Sequence, residues 1–542
     1  MKKHFILLST FAAWMLSATF LTSCGEEVQG LVNNGNNNET NTESTVGENC
    51  TLFSTSTEGT RTSMDTNREF YWSTGDQIYV NTDGTTYQMT SESRLAADKA
   101  RADFVLSGVK LTAPKCSVVY IGNGTNSATA VASGLSVTIR NVQTQTAWGN
   151  ADHIGPSGDC GVAEATKDDA TGKYLFDLRH KASYLVFQPY KAEQITANWK
   201  LVKIEIIADG SYIAGTYEFG TGELVGTGSQ STVTLNCGNG AFANAFELAS
   251  SASAANSCFA VVQPGAHKLK IRYTIKPENS ANGWMNPSTL QINANDETFI
   301  IEKEIVLRDY NVNGVTTIRH KMDVMLFNDW NYYQWDAQER YVYDIPQFNP
   351  VAGPQVASDI EGSKAQYSCR NMPNNNEIYW YTENGDPHWD ETSWWSVDYG
   401  KNVCTGGLWL KKKATILAEG KTFSEEYGIY PKTGEQRDLR LPPYYYYYKS
   451  NSQEILPASV RDKYFFLPAL AWYESYSEIF TGNWRLYGYY WSSSPRDNSD
   501  LTGFSSDVMF SCGFLMWKTG SGLNISHGRR GGNVATESRW FQ

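Results

Sequence analysis

The chain has 542 residues, of which 41% are hydrophobic, 13% aromatic and 19% charged, and its formal net charge is −12. This excess of carboxylates argues against a nucleic-acid binder, because contacts to phosphates need a basic surface. The composition also excludes a collagen repeat, a coiled coil and a disordered polyampholyte. At roughly 150 residues per domain, the length predicts three or four domains. Many Gly, Thr, Ser, Asn and Tyr residues favour strands joined by turns.

The first segment has the pattern of an export signal. Lys2 and Lys3 precede an apolar stretch that ends near Phe20, which is too short to span a bilayer comfortably. The stretch closes on Leu-Thr-Ser-Cys at 21–24, the pattern of a bacterial lipobox. We therefore expect a signal peptide over 1–23 and acyl chains on Cys24 that anchor the protein to the outer membrane. The alternative is an ordinary cleavage site with an incidental cysteine.

Residues 24–49 are rich in Asn, Thr, Gly and Glu and cannot bury enough apolar surface to fold, so they are predicted to form a flexible tether. Glu26 and Glu27 resemble the acidic signals of some surface-exposed lipoproteins, and a plain solubilising linker is the alternative. Eight cysteines follow Cys24. An even number in an exported chain permits disulfides, but the sequence leaves their pairing open.

From Cys50 to about Val324 short β-like runs alternate with turn signals, which is typical of all-β domains. We predict two consecutive β-sandwich lobes, over 50–185 and 186–326. Residues 327–354 contain three prolines and are predicted to be a linker. Residues 355–542 hold ten of the seventeen Trp and are predicted to form a third domain of a different kind.

Several motifs in the first two lobes resemble those of fimbrillin-like outer-membrane lipoproteins of Gram-negative anaerobes. The likeness lies in TRTSM at 60–64, FYWSTGDQIYV at 70–80, FDLRHKASYLVF at 176–187, IAGT at 213–216 and VVQPG at 261–265. The order and spacing of these motifs match that family over about residues 58–325. The resemblance implies transthyretin-like β-sandwich lobes and a place on the cell surface or in a fimbrium.

The tail resembles the FISUMP-type major paralogous domain, which is similar to C-type-lectin-like folds. The resemblance lies in SCRNMPN at 368–374, GDPHWD at 385–390, GGLWLKK at 406–412, YFFLPAL at 464–470 and GYYWSSS at 488–494. The closing strand of that module matches poorly here, at GRRGG over 528–532. The expected fold class is thus mainly β, with two β-sandwich lobes followed by an α+β C-type-lectin-like domain over 355–542.

No motif for catalysis or for a metal is present in the sequence. The seven His are scattered, and the three in His-Lys pairs are expected to be structural. Gly-x-Ser-x-Gly, His-Glu-x-x-His and the signatures of calcium-dependent lectins are missing. Asp390 and Glu391 are interpreted as ordinary surface charges. We therefore predict a protein that is not an enzyme and needs no cofactor or metal.

Clustered aromatic residues are the remaining chemical signal, because indole and phenol faces suit sugar stacking and protein interfaces. Trp380, Trp409 and Trp491 lie inside the tail motifs and are expected to be structural. The candidate ligand-binding residues are Trp394, Trp395, Tyr444, Tyr446, Trp472 and Tyr489. Their expected target is a glycan, or a protein on a host or bacterial surface.

The fimbrillin resemblance also implies assembly with other subunits by strand complementation after cleavage behind a basic residue. Arg61 is the candidate cleavage site, with Arg68 as the second choice and an uncut surface loop as the alternative. Because about 190 residues follow the lobes, we expect a tip or accessory adhesive subunit. The competing hypotheses are a monomeric surface glycan-binding lipoprotein for nutrient capture, and a hydrolase with an unrecognised site.

Overall fold

The protein is mainly β, as predicted. The computed structural model describes residues 49–56, 63–64, 70–97, 99–122, 128–238, 244–277, 279–280, 285–286, 291–292, 298–327, 332–333, 365, 368–441, 447–470, 473–475, 478–479, 487–496, 510–517, 523–528 and 533–534. Cys24, Arg61, Arg68, the predicted signal peptide and nearly all of the predicted tether lie outside these residues.

Most of the first lobe is a single large sheet. In the described chain it contains ten strands, nine of which run in the order Glu92–Leu95, Ala102–Ser107, Cys50–Thr55, Tyr174–Phe176, Gly161–Lys167, Lys115–Tyr120, Tyr79–Asn81, Thr86–Met89 and Thr129–Val131. The tenth strand, Arg179–His180, pairs with Gly161–Lys167. Two short strands, Ser63–Met64 and Phe70–Tyr71, pair with each other.

This sheet forms a wall between two hydrophobic cores. Val80 and Val118 point into a core with Phe53 and Trp72. The next residue along one of these strands, Val119, is buried in the core of the second lobe. Successive side chains of a strand point to opposite faces, so burial on both sides explains the unbroken apolar run Val118, Val119 and Tyr120.

The second lobe is built from three sheets around one core. The largest, of six strands in the described chain, has the order Val142–Gln145, Thr232–Cys237, Lys200–Asp209, Gly265–Lys276 and Phe299–Tyr310, with Phe246–Glu247 beside Lys200–Asp209. A second sheet has the order Cys258–Val262, Ser183–Lys191 and Val315–Met322, and Ser136–Ile139 pairs with Gly215–Glu218. Side chains from all three share the core. The sandwich arrangement of the lobes stays a prediction.

The lobes are not divided where the sequence suggested. The expected boundary between residues 185 and 186 falls inside strand Ser183–Lys191. Strands Ser136–Ile139 and Val142–Gln145 already pair with strands of the second lobe, and the chain then returns to the first sheet at Gly161–Lys167. The pattern of apolar runs and turn residues along the chain shows where the strands lie, but not which sheet each strand joins.

Two larger sheets are present among the tail residues that the structure describes. In one, the order is Asn279–Ser280, Asn402–Lys411, His388–Val397 and Met325–Phe327, with Tyr464–Pro468 also beside Asn402–Lys411. In the other, the order is Tyr332–Tyr333, Asn533–Val534, Tyr487–Arg496, Phe510–Trp517, Leu523–Gly528 and Tyr447–Lys449. Short two-stranded pairs are Met285–Asn286 with Gln291–Ile292, Gly428–Ile429 with Gln436–Arg437, and Tyr473–Ser475 with Glu478–Ile479.

Helices are short. The α-helices of the described chain are Asn375–Asn384 and Lys413–Ala418, and the 3-10 segments are Ala132–Gly134, Ala254–Asn256, Asp398–Gly400 and Ala458–Lys463. None of the described helices is long and apolar enough to cross a membrane. The α+β, C-type-lectin-like arrangement of the tail stays a prediction.

The predicted linker begins within the tail sheet. Strand Met325–Phe327 pairs in parallel with His388–Val397, which places Met325 opposite Trp395. The end of the second lobe is therefore joined to the tail by main-chain hydrogen bonds. This junction positions the cleft described next.

Candidate functional site

The structure separates the two adjacent tryptophans that were predicted to bind a ligand. Trp395 is 0% exposed, and its indole Nε1 donates to the carbonyl of Gly406 over 2.9 Å. Trp394 points to the opposite face of the strand, is partly buried, and lies 5.4 Å from the ring of Phe299 between centroids. Because Trp395 is buried, it is a core residue. Of this pair, only Trp394 is accessible for contact with a ligand.

The structure does not describe the side chains of the other four candidate aromatic residues. Tyr489 lies in strand Tyr487–Arg496, where the structure describes the backbone but not its side chain. Three candidates lie outside the described residues: Tyr444, Tyr446 and Trp472.

Trp394 lines a cleft of about 1060 Å³ between the second lobe and the tail. This volume lies just above the usual range of about 300–1,000 Å³ for pockets that hold small ligands. One wall is the edge strand Phe299–Tyr310 with the segment 323–325, and the other is formed by the tail. The apolar lining residues are Ile300, Ile301, Val324, Met325, Trp394 and Trp409.

The polar lining is rich in hydrogen-bond acceptors. Three carboxylates and a single guanidinium belong to the lining and give it a formal charge of −2, and three hydroxyl groups complete it. These residues are Glu302, Asp323, Glu391, Arg461, Thr392, Ser393 and Thr405. An aromatic face beside carboxylates and hydroxyls can pack against an apolar surface and accept hydrogen bonds from donors on the same ligand.

A bulge in strand His388–Val397 contributes Glu391, Thr392 and Ser393 to this lining. Asp390 pairs with Gly407 and Trp394 with Thr405, so three residues stand opposite one. The carboxylate of Asp390 accepts from the backbone N–H of Thr392 (2.7 Å) and of Ser393 (3.0 Å). It also accepts from both side-chain hydroxyls, at 2.7 and 2.6 Å. Asp390 thus replaces the missing ladder hydrogen bonds and fixes the bulge.

Asp390 also positions two further residues of the same wall of the cleft, Trp409 and Arg461. Its Oδ2 accepts from Trp409 Nε1 at 3.1 Å and from Arg461 Nη2 at 3.3 Å. The guanidinium of Arg461 lies 5.4 Å from the centroid of the Trp409 ring, within the range of a cation–π contact. Asp390 therefore accepts hydrogen bonds from four cleft residues, Thr392, Ser393, Trp409 and Arg461, without lining the cleft itself. It also fixes the bulge that ends at Trp394.

The ionisation of Asp390 follows from this surrounding. Burial favours the neutral carboxyl and raises the pKa of Asp390. Hydrogen bonds from Ser393, Thr392 and Trp409 stabilise the carboxylate and outweigh burial, so that the pKa of Asp390 lies below the usual 3.8. The interpretation of Asp390 as an ordinary surface charge was wrong, because its side chain is 0% exposed.

A tight turn of the tail docks against the second lobe beside the cleft. The carbonyl of Tyr399 accepts from the backbone N–H of Thr196 at 3.0 Å. The carbonyl of Gly400 accepts from Trp199 Nε1 at 2.8 Å. Gly400 has a φ of +93°, and a Cβ there would stand 2.5 Å from Cγ2 of Ile195. The two walls of the cleft are therefore fixed relative to each other by direct hydrogen bonds and close packing.

The burial of two motif tryptophans and of one histidine agrees with the structural roles expected for them, whereas Trp380 is only partly buried. Trp409 is 7% and Trp491 1% exposed. His180 is buried and hydrogen-bonded to Asp159 at 2.8 Å between Nδ1 and Oδ1. In the part of the chain that the structure describes, no group of three His, Cys, Asp or Glu side chains is placed to hold a metal ion.

No protein-family model matches the chain, and the comparison with curated proteins finds no relative. Among solved structures, a candidate cell adhesion protein of Bacteroides uniformis is 16% identical, with 50% of this chain and 94% of that chain covered and a TM-score of 0.27. A fimbrial assembly protein of Parabacteroides distasonis is 11% identical, with 50% and 91% covered and a TM-score of 0.24.

A fimbrial protein of Bacteroides ovatus is 10% identical and covers 90% of this chain and 97% of its own, with a TM-score of 0.21. Because these TM-scores are far below 0.5, we infer the function of this chain from its own cleft and sequence motifs.

Proposed function

We propose that the protein is an exported, lipid-anchored adhesive subunit of the fimbrial type, and that its cleft between the second lobe and the tail binds a glycan. The observation that carries this proposal is the partly exposed indole of Trp394 in a cleft lined by carboxylates and hydroxyls. A sugar ring presents C–H groups that pack on an indole and hydroxyls that donate to carboxylates. The cleft suits adhesion to a saccharide better than to a flat protein surface because it is concave.

Replacing Trp394 with alanine tests the glycan site. We expect the affinity for a bound glycan, first identified by screening the purified mature chain on a glycan array, to fall at least about tenfold. Titration calorimetry with the free oligosaccharide measures this. Trp394→Phe should retain part of the affinity, because a phenyl ring still offers a flat apolar face.

Tyr427→Ala is the matched control, because Tyr427 is an aromatic residue of the tail that is 45% exposed and lies outside the cleft lining. Equal losses in the two alanine variants would contradict the proposed site. Binding to a surface protein but to no glycan would overturn the proposed ligand class. New reducing ends released from the bound glycan would overturn the proposal of adhesion without cleavage.

The mature N-terminus tests the proposed assembly. A subunit that enters a polymer by strand complementation should begin after Arg61, whereas an acylated Cys24 retained on cells supports the monomeric glycan-binding lipoprotein. Mass spectrometry of protein from shed fibres and from outer membranes distinguishes the two. Arg61→Ala should abolish the shorter form and leave the lipid-anchored form unchanged. If the shorter form persists in this variant, cleavage does not occur at Arg61.

A further inference from the structure

Two cysteines of the second lobe lie in contact where two of its sheets meet. Cys237 ends strand Thr232–Cys237 of the six-stranded sheet, and Cys258 begins strand Cys258–Val262 of the three-stranded sheet. Their Sγ atoms are 4.0 Å apart, and both side chains are 0% exposed. Both are thiols in the structure. Each sulfur would have to move by about 1 Å to reach the length of a disulfide bond.

The backbone around this pair is fixed by a neighbouring amide. Gln145 stands beside Cys237 in the parallel ladder of its sheet. Its side chain donates to the carbonyl of Ser257 and accepts from the N–H of Phe259, each at 2.9 Å. These are the residues on either side of Cys258. The side chain of Gln145 therefore holds the two strands at one separation, which keeps the two sulfur atoms adjacent in the folded lobe.

We propose that Cys237 and Cys258 form a disulfide that joins the two sheets of the second lobe when the protein is exported. The proposal rests on the export predicted from the sequence, since an oxidising compartment is needed. Each thiol loses its proton, and one thiolate attacks a disulfide of an oxidant protein or small molecule, which forms a mixed disulfide and releases one oxidant thiolate. The second thiolate then attacks the cysteine sulfur of the mixed disulfide and displaces the other oxidant sulfur as a thiolate. One S–S bond forms in the lobe, and the oxidant leaves as its two-thiol form.

Burial of the two thiols determines whether the disulfide forms before or after the lobe closes. Burial raises the pKa of the Cys258 thiol well above 9.0, with a further contribution from Cys237. Because the thiolate is the reacting species, the closed lobe exchanges slowly, and the bond forms before the sheets close on each other. The same burial then shields the bond from external reductants.

The test compares two samples of the protein. One is the full chain, exported by its own leader, and the other is the chain from Cys24 onward, which is retained in a reducing cytosol. Each sample is denatured without reductant, alkylated and digested, and the cysteine peptides are identified by mass spectrometry. We expect the exported chain to contain a peptide pair linked through Cys237 and Cys258, and the cytosolic chain to carry an alkyl group on each. Full alkylation of both in the exported chain, or a link to another cysteine, would overturn the proposal.

A thermal measurement gives a second readout. Reduction of the unfolded exported chain, followed by refolding, should lower its melting temperature by roughly 5–10 °C. Cys258→Ala should melt at the same temperature with and without this treatment. Cys160→Ala is the matched control, because Cys160 is another buried thiol, and this variant should keep the full response to reductant. No response in the wild-type chain would also overturn the disulfide.

Discussion

Replacing Asp390 with asparagine should lower the free energy of unfolding by about 2–4 kcal/mol. Asparagine has a similar shape but only one acceptor oxygen, so its amide group must face donors of Trp409 or Arg461 that the carboxylate now satisfies. Buried donors without an acceptor each cost about 1–3 kcal/mol. Because Arg461 is partly exposed, we expect less than for a fully buried ion pair. Denaturant unfolding followed by fluorescence measures the change.

Glu391→Gln is the control, since it makes the same chemical change one residue away on an exposed side chain. It should alter the free energy of unfolding by no more than about 0.5 kcal/mol. Glycan affinity should also fall in Asp390→Asn, because Trp409 and Arg461 lose a shared acceptor. If the two variants unfold at the same denaturant concentration, Asp390 does not fix the bulge.

The effect of Asp390→Asn should depend on pH in a defined direction. The folded pKa of Asp390 is lower than its ordinary value of 3.8, so the unfolded chain takes up a proton first as the pH falls. The stabilisation by the carboxylate is therefore complete above about pH 5 and is lost as the pH drops through 3.8 toward the folded pKa. The difference between wild type and variant should shrink over that range, and a constant difference would contradict this origin.

The sequence predicted strands better than it predicted their partners. The apolar runs that contain Val80, Val118 and Tyr184 are strands, and turn signals separate them. However, Val142–Gln145 belongs to the second lobe through its pairing with Thr232–Cys237, about 90 residues away. Nothing local encodes such a pairing. The boundary between the lobes therefore required the structure.

Some residues of the candidate site could be predicted from the sequence, and others could not. Trp394 was selected from composition, and strand alternation separates it from the buried Trp395. Asp390 followed by Thr392 and Ser393 is an Asx-turn pattern, a local signal that could have identified the bulge. Arg461 and the wall at Ile300 carry no local signal, because tertiary packing alone brings them to the cleft.

Replacing Gly400 with alanine should loosen the tail from the second lobe. Alanine at a φ of +93° costs about 1–2 kcal/mol, and the added methyl group would also stand 2.5 Å from Cγ2 of Ile195. That side chain is buried, so the turn must move away and lengthen the hydrogen bond between Trp199 and the carbonyl of Gly400. We expect a total cost of about 3 kcal/mol or more. Calorimetry should show the tail and the lobe unfolding as separate transitions.

Gly420 provides a matched control in the same tail. Its φ is +84°, and a Cβ there would meet no atom within 4 Å. Gly420→Ala should therefore cost only the backbone strain of about 1–2 kcal/mol and leave the glycan affinity unchanged. Gly400→Ala should weaken glycan binding, since it shifts one wall of the cleft against the other. Equal stability and equal affinity in the two variants would mean that the turn at Gly400 does not hold the tail on the lobe.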